Sequence, residues 1–147
     1  MEGLSTRGRY ATRVLLYLVM RDAGGPVRIS DIAAAEDLPQ QYLEQLMIRL
    51  KVAGFVRSVR GARGGYVVAC DPAVVTVADV LAAVEGPVEL APCLNDACSR
   101  AAGCVTRSVW QAASDAMNDV FKKTTLKSMA DAARELEGPG GAVNYSI

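Results

Sequence analysis

Ala11, Val14, Leu15, Leu18 and Val19 recur at the i, i+3, i+4, i+7, i+8 spacing of one helix face. The pattern predicts a helix from near Thr6 to just before Gly24-Gly25-Pro26, which stops it. Core packing alone accounts for its apolar face. Ser30 is suited to cap a short second helix through Ile32, Ala33 and Ala34. Glu36-Asp37-Leu38-Pro39 then turns the chain, with Pro39 suited to the first position of a third helix reaching about Ala53. Leu43, Leu46, Met47 and Leu50 form the buried stripe of that helix. Gln41, Glu44, Gln45 and Arg49 lie opposite, Tyr42 sits beside them near the start, and Gly54 closes the helix. Two helices joined by a tight turn, with polar groups at the second N-terminus, make a helix-turn-helix pattern.

The period then changes. Residues 55–60 and 66–70 are rich in valine and aromatic residues, and Gly61-Ala62-Arg63-Gly64-Gly65 lies between them. This predicts a β-hairpin with a basic, glycine-rich tip, the wing of a winged helix. Thr76 with Asp79 resembles a capping box ahead of the stripe Val77, Val80, Leu81 and Val84, which ends at Gly86-Pro87. After an aperiodic stretch, Val109, Ala112, Ala113, Ala116, Met117 and Val120 mark a long helix from Val105, with Trp110 and Phe121 toward one flank. Thr125 is suited to cap a last helix through Leu126, Met129, Ala130, Ala133 and Leu136, and Gly138-Pro139-Gly140-Gly141 ends regular structure. The long helix has too little chain of its own to cover it, so pairing with a twin about a two-fold axis is expected. The expected fold is mainly α with a small β-wing: a winged helix-turn-helix head over residues 1–86, a cysteine-bearing loop over 87–106, a dimerisation helix and short terminal helix over 107–137, and a disordered tail over 138–147.

Charge sharpens this picture. Overall the chain is neutral, yet residues 1–70 hold ten Lys/Arg against six Asp/Glu, and no acid falls between Glu44 and Asp71. Residues 71–147 reverse the balance, six against ten. A basic front and an acidic back suggest a polyanion partner for the front. Gln41 and Gln45 can read adenine edges in a major groove, and Glu44 can accept from a cytosine amino group. Tyr42 and Arg49 suit phosphates, while Arg60 and Arg63, on the tip with Gly61, suit a narrow minor groove. An ordinary solvated helix face and a flexible surface turn are the bland alternatives.

The chain has no histidine, which excludes Ser–His–Asp and Cys–His catalysis and any histidine-containing zinc site. No activity as an enzyme is expected. The early apolar run 14–20 is only seven residues between Arg13 and Arg21, so no signal peptide and no membrane association are expected, and the location is expected to be cytoplasmic. In that setting four cysteines point to metal or redox chemistry more than to structural disulfides. Cys93, Cys98 and Cys104 fall within twelve residues, among small and polar neighbours and behind Pro92. Close thiolates select iron–sulfur clusters, zinc or copper(I). A reversible disulfide switch and inert thiols remain open at this point. Cys70, at the end of the wing strand, reads as a small buried hydrophobe.

Together, Gly8-Arg9-Tyr10-Ala11, Tyr42-Leu43-Glu44-Gln45-Leu46, the run from Ala53 to Gly61, Gly64-Gly65-Tyr66, Ala83-Val84-Glu85-Gly86, the cysteine triplet and Trp110 resemble the IscR-type family of winged-helix regulators. That family includes iron–sulfur-assembly regulators, nitric-oxide sensors such as NsrR and iron-responsive repressors such as RirA, and the resemblance covers roughly residues 4–136. It implies a homodimer with crossing C-terminal helices, bound to double-stranded operator DNA. It implies an iron–sulfur cluster on Cys93, Cys98 and Cys104, base contacts near Tyr42, Glu44 and Gln45, and a minor-groove role for Arg60. Two positions depart from the family. Arg107 stands where a fourth, histidine ligand is found three residues after the last cysteine, and Arg9 stands where the nitric-oxide sensors carry an aspartate. The fourth ligand is therefore unassigned, with Asp96, Glu85, Glu89, a partner-chain group, an exogenous thiol or solvent as candidates. A 2Fe–2S cluster is favoured over 4Fe–4S. The expected function is a homodimeric DNA-binding regulator that senses iron–sulfur, redox or nitric-oxide status. A winged-helix regulator with a cluster-free thiol or zinc switch is the alternative, and a small redox carrier or thiol enzyme ranks below it.

Overall fold

The computed structural model describes residues 4–95 and 98–138. Asp96 and the tail from residue 139 lie outside them, so neither the Asp96 ligand nor tail disorder is addressed by the fold. Helix α1 (Thr6–Arg21) starts at Ser5, whose hydroxyl accepts from the Gly8 amide at 3.3 Å. A 3-10 turn (Asp22–Gly24) leads to α2 (Ile29–Glu36), and α3 (Gln40–Val52) follows. The wing is β1 (Val56–Val59) antiparallel to β2 (Gly65–Val68), with Val56 opposite Val68 and Val59 opposite Gly65. Then come α4 (Val77–Glu85), two 3-10 turns (Pro92–Leu94 and Ala101–Gly103), the long α5 (Val105–Lys123) and α6 (Leu126–Glu137).

Two helix starts differ from expectation, that of α2 by two residues and that of α3 by one. Ser30 does not cap α2; Arg28 does, with extended backbone (φ −67°, ψ 146°). The cause is long-range. Val27 exchanges both backbone hydrogen bonds with Tyr66 of the wing, at 2.9 and 2.8 Å, so the chain is still extended there and turns helical at Ile29. Pro39 is the residue before α3 rather than its first, because its ψ of 130° is not helical. Between the two helices Asp37 takes a left-handed conformation (φ 52°), which lets Leu38 drop into the core. The strands are also shorter than the apolar runs that predicted them.

One core unites the head. Val14, Leu15 and Leu18 of α1 pack with Ile32 of α2, Leu43, Met47 and Leu50 of α3, and Val80 and Val84 of α4. Leu126 and Ala130 of α6 belong to the same cluster. Chain order grouped α6 with the long helix; in space it folds back on the head. Both Thr caps hold as the sequence suggested: Thr76 and Asp79 form a reciprocal capping box, and Thr125 does so with Ser128. These caps lie side by side in a β-bridge. Val77 N donates to Thr124 O at 2.9 Å, Leu126 N to Val75 O at 3.0 Å and Lys127 N to Pro72 O at 2.8 Å.

Because Leu126 is fully buried, Leu126→Ala is expected to destabilise the head by about 2–5 kcal/mol. Urea unfolding followed by helix signal checks this. A change under about 0.5 kcal/mol would mean that α6 is an appendage.

Candidate nucleic-acid interface and thiol loop

Helix α3 buries Leu43, Leu46, Met47 and Leu50 against α1 and α2, and this turns the opposite face outward. Gln41, Glu44, Gln45 and Arg49 are all exposed there. Glu44 is already held on one side, since Gln40 Nε2 donates to its Oε1 at 3.1 Å. Tyr42 lies off this face. It is half-buried, meets Tyr10 edge to face with ring centroids 5.9 Å apart, and lines a cleft with Ser5, Thr6, Arg7 and Glu85. Sequence reading passed over two residues on the outward face, Ile48 and Val52, which are 56 % and 85 % exposed. The signal was present in their helical spacing from Gln41 and Gln45, but only polar side chains were considered for that face.

The wing stands beside α3. Lys51 Nζ donates to Ser58 Oγ at 3.2 Å and ties the helix end to β1. Arg60, Gly61, Ala62 and Arg63 are exposed at the tip. Gly61 has φ +122°, a conformation that side chains disfavour, and its carbonyl accepts from Gly64 N at 2.9 Å. Arg28, at the start of α2, donates from Nη2 to the Ala62 carbonyl at 3.2 Å. It props the tip from behind.

The cysteine segment lies at the other end of the chain's architecture. Cys93 sits in the first of its 3-10 turns, and Cys104 immediately precedes α5 as its N-cap residue. All four cysteines are unpaired and half-buried. Burial, together with the charges of Asp71 and Asp22, pushes the Cys70 thiol up, as befits a side chain packed against the core. Cys104 is shifted the other way. The Thr106 hydroxyl 3.2 Å from its sulfur lowers its pKa, helped by the Arg107 amide and guanidinium.

Arg107 reaches back across the loop, donating from Nη1 to the Cys93 carbonyl and from Nη2 to the Leu94 carbonyl at 3.3 Å. The residue in the fourth-ligand position thus closes the loop at its root. Among the described residues, no three His, Cys, Asp or Glu side chains converge closely enough to hold a metal ion. Of the ligand candidates, Glu85 accepts from the Ser5 hydroxyl against α1. Glu89 keeps one buried oxygen, Oε2, without a hydrogen-bond partner among the described residues. The donors therefore fit a thiolate-bound cluster in kind, with three unpaired thiols and one orphaned carboxylate oxygen between residues 89 and 104. Their positions still have to draw together.

The sequence profile of Rrf2, described as an iron-dependent transcriptional regulator, matches residues 4–132. The chain belongs to the Rrf2 family. It is 39 % identical over 147 residues to Protein rrf2 of Nitratidesulfovibrio vulgaris, covering 97 % of this chain and 95 % of that one. The solved structure of T. potens IscR superposes with a TM-score of 0.79 at 33 % identity, covering 95 % of this chain and 94 % of that chain. That of CymR, described as the global cysteine regulator of B. subtilis, gives 0.77 at 36 % identity, covering 90 % and 98 %. This Rrf2 protein is a DNA-binding transcriptional regulator with a winged helix-turn-helix head, not an enzyme. Among the described residues no helix is long and apolar enough to cross a membrane.

The wing of an Rrf2 head has a base that tolerates no side chain here. A Cβ on Gly65 would fall on the Val27 carbonyl, 2.5 Å from its carbon and 3.0 Å from the Arg28 nitrogen. Backbone cannot move aside as a side-chain tip can. Gly65→Ala is expected to break the Val27–Tyr66 bridge and lower stability by about 1–3 kcal/mol, read as an earlier urea midpoint with faster amide exchange at Tyr66.

Proposed function

We propose that this Rrf2 regulator binds operator DNA as a homodimer and reports iron–sulfur, redox or nitric-oxide status through a cluster held by Cys93, Cys98 and Cys104. The observation that carries this reading is that Cys104 is the N-cap residue, and Arg107 a first-turn residue, of α5, the helix with the barest apolar face. Val105, Val109 and Val120 are 80 %, 55 % and 61 % exposed, and Trp110 is 43 % exposed beside them. Such a stripe fits a second copy of the same helix about a two-fold axis.

The DNA-facing residues in this reading are Gln41, Glu44, Gln45 and Arg49 of α3 with Tyr42 at its flank, and Arg60, Gly61 and Arg63 of the wing. When bound, a cluster supplies one-electron redox and ligand-exchange chemistry at iron, with 2Fe–2S favoured and Glu89 the remaining described candidate for the fourth ligand. The chain does the rest. Drawing the three thiols together shifts Cys104 against the start of α5, and the Arg107 fork carries Cys93 with it. The angle of α5 to the head then changes, and with it the spacing of the two recognition helices.

Anaerobic reconstitution tests this. Iron and acid-labile sulfide are expected in the parent protein and not in Cys93→Ser, Cys98→Ser or Cys104→Ser, and duplex affinity is expected to differ between loaded and apo protein. Equal affinities would remove the sensing role.

A second reading, a cluster-free thiol or zinc switch, is supported by the likeness to a regulator described by its link to cysteine. Colourless, iron-free protein after anaerobic reconstitution would select it.

The wing assignment makes its own prediction. Arg63→Ala is expected to reduce the slope of log affinity against log salt by about 1, as loss of one phosphate contact does. Arg28→Ala is expected to weaken binding while leaving that slope unchanged, because its guanidinium faces the Ala62 carbonyl.

A further inference from the structure

The outward face of α3 is not uniformly polar. At roughly 100° per residue, Ile48 and Val52 project within about 20° of Gln41. They lie at the centre of the exposed face, directly opposite the buried stripe of Leu43, Leu46, Met47 and Leu50. Ile48 is more than half exposed, on the turn immediately after Glu44 and Gln45. A β-branched side chain in that place gains nothing from water and little from helix propensity.

The surroundings say what covers it. Arg49 and Lys51 flank Ile48 on the helix, Arg57 is exposed on the adjoining strand, and Arg60 and Arg63 extend the same positive field along the wing. An apolar protein surface would leave these cations stranded. A DNA groove pairs them with phosphates while presenting apolar groups of its own, the 5-methyls of thymine, on its floor.

We infer that Ile48 is a specificity-determining residue that reads a thymine 5-methyl in the major groove, one helical turn beyond the bases reached by Glu44 and Gln45. The inference rests on the reader assignment for α3 and adds to it a base class that hydrogen-bonding side chains do not select. Val52 lies a further turn on, about 6 Å along the axis, where the helix end leaves the bases for the backbone.

The test begins by selecting duplexes from a randomised library with the full-length protein. Each thymine of the selected site is then replaced in turn by deoxyuridine, which deletes the methyl and nothing else. For the parent protein, one thymine per half-site is expected to matter, with affinity falling about fourfold for each methyl removed. Ile48→Ala is expected to bind the thymine duplex about as weakly as the parent binds the deoxyuridine duplex, and to be indifferent to that exchange. Because Ile48 lies outside the core, the variant should keep the parent's unfolding midpoint.

If every thymine is felt equally by both proteins, the proposal is overturned. If Ile48→Ala instead changes the oligomeric state in sedimentation, the side chain serves a protein contact and the proposal falls. Failure of the parent to enrich any duplex would overturn the reader assignment itself, and this inference with it.

Discussion

The bridge between Thr76 and Thr125 is the constraint on which the rest of the molecule is hung. Two helix N-termini, those of α4 and α6, are stitched together by backbone hydrogen bonds. Each satisfies its own cap with a threonine side chain. The chain must therefore leave the head after α4, run out through the cysteine segment, and return along α5 to this one place. Helix α5 is about 28 Å long at 1.5 Å per residue. Its C-terminal end is fixed beside the core and its N-terminal end carries Cys104. Leu126, the first residue of α6, then seals the return by filling the core beside α1.

The same arrangement explains what the sequence disclosed and what it withheld. Periodicity located α1, α3, α4 and α5, and both threonine caps, because those are local properties of the chain. It also marked Leu126, Ala130 and Ala133 as a buried face. Periodicity identifies a face but not its partner, so α6 was grouped with its chain neighbour instead of the head. The start of α2 was misplaced for a related reason: Arg28 is extended because Val27 pairs with Tyr66, 39 positions away. No window around Ser30 contains that information. Ile48 was a different kind of omission. Its angular position between Glu44 and Gln41 was available from the sequence, but only polar side chains were considered for that face. The thiol cluster was legible as spacing alone, since convergence depends on how residues 92–104 are held, and the Arg107 fork that closes them is formed by the fold.

The charge count also changes meaning once the side chains are placed. Ten basic residues fall in the first seventy positions, but several serve the structure. Arg13 pairs with Glu36 at 2.9 Å, Arg21 lies 3.6 Å over the Tyr17 ring, Arg7 donates to the Val84 carbonyl, and Arg28 supports the wing. Arg9 stays on α1, donating to the Thr6 hydroxyl at 3.3 Å, and Arg49, Lys51, Arg57, Arg60 and Arg63 remain as one exposed field across the end of α3 and the wing. That is a smaller positive charge than composition suggests, but it is concentrated on the surface that carries Gln41, Gln45 and Ile48.

The closeness of Gly65 to the Val27 backbone has a mechanical consequence. A hairpin sewn at its root to the entrance of α2 has no elbow there. The head is therefore tied together from recognition helix to wing, and in the proposed dimer each head would act as one jaw of a calliper. Under that proposal a signal would open or close the gauge between the jaws, while each jaw keeps its shape.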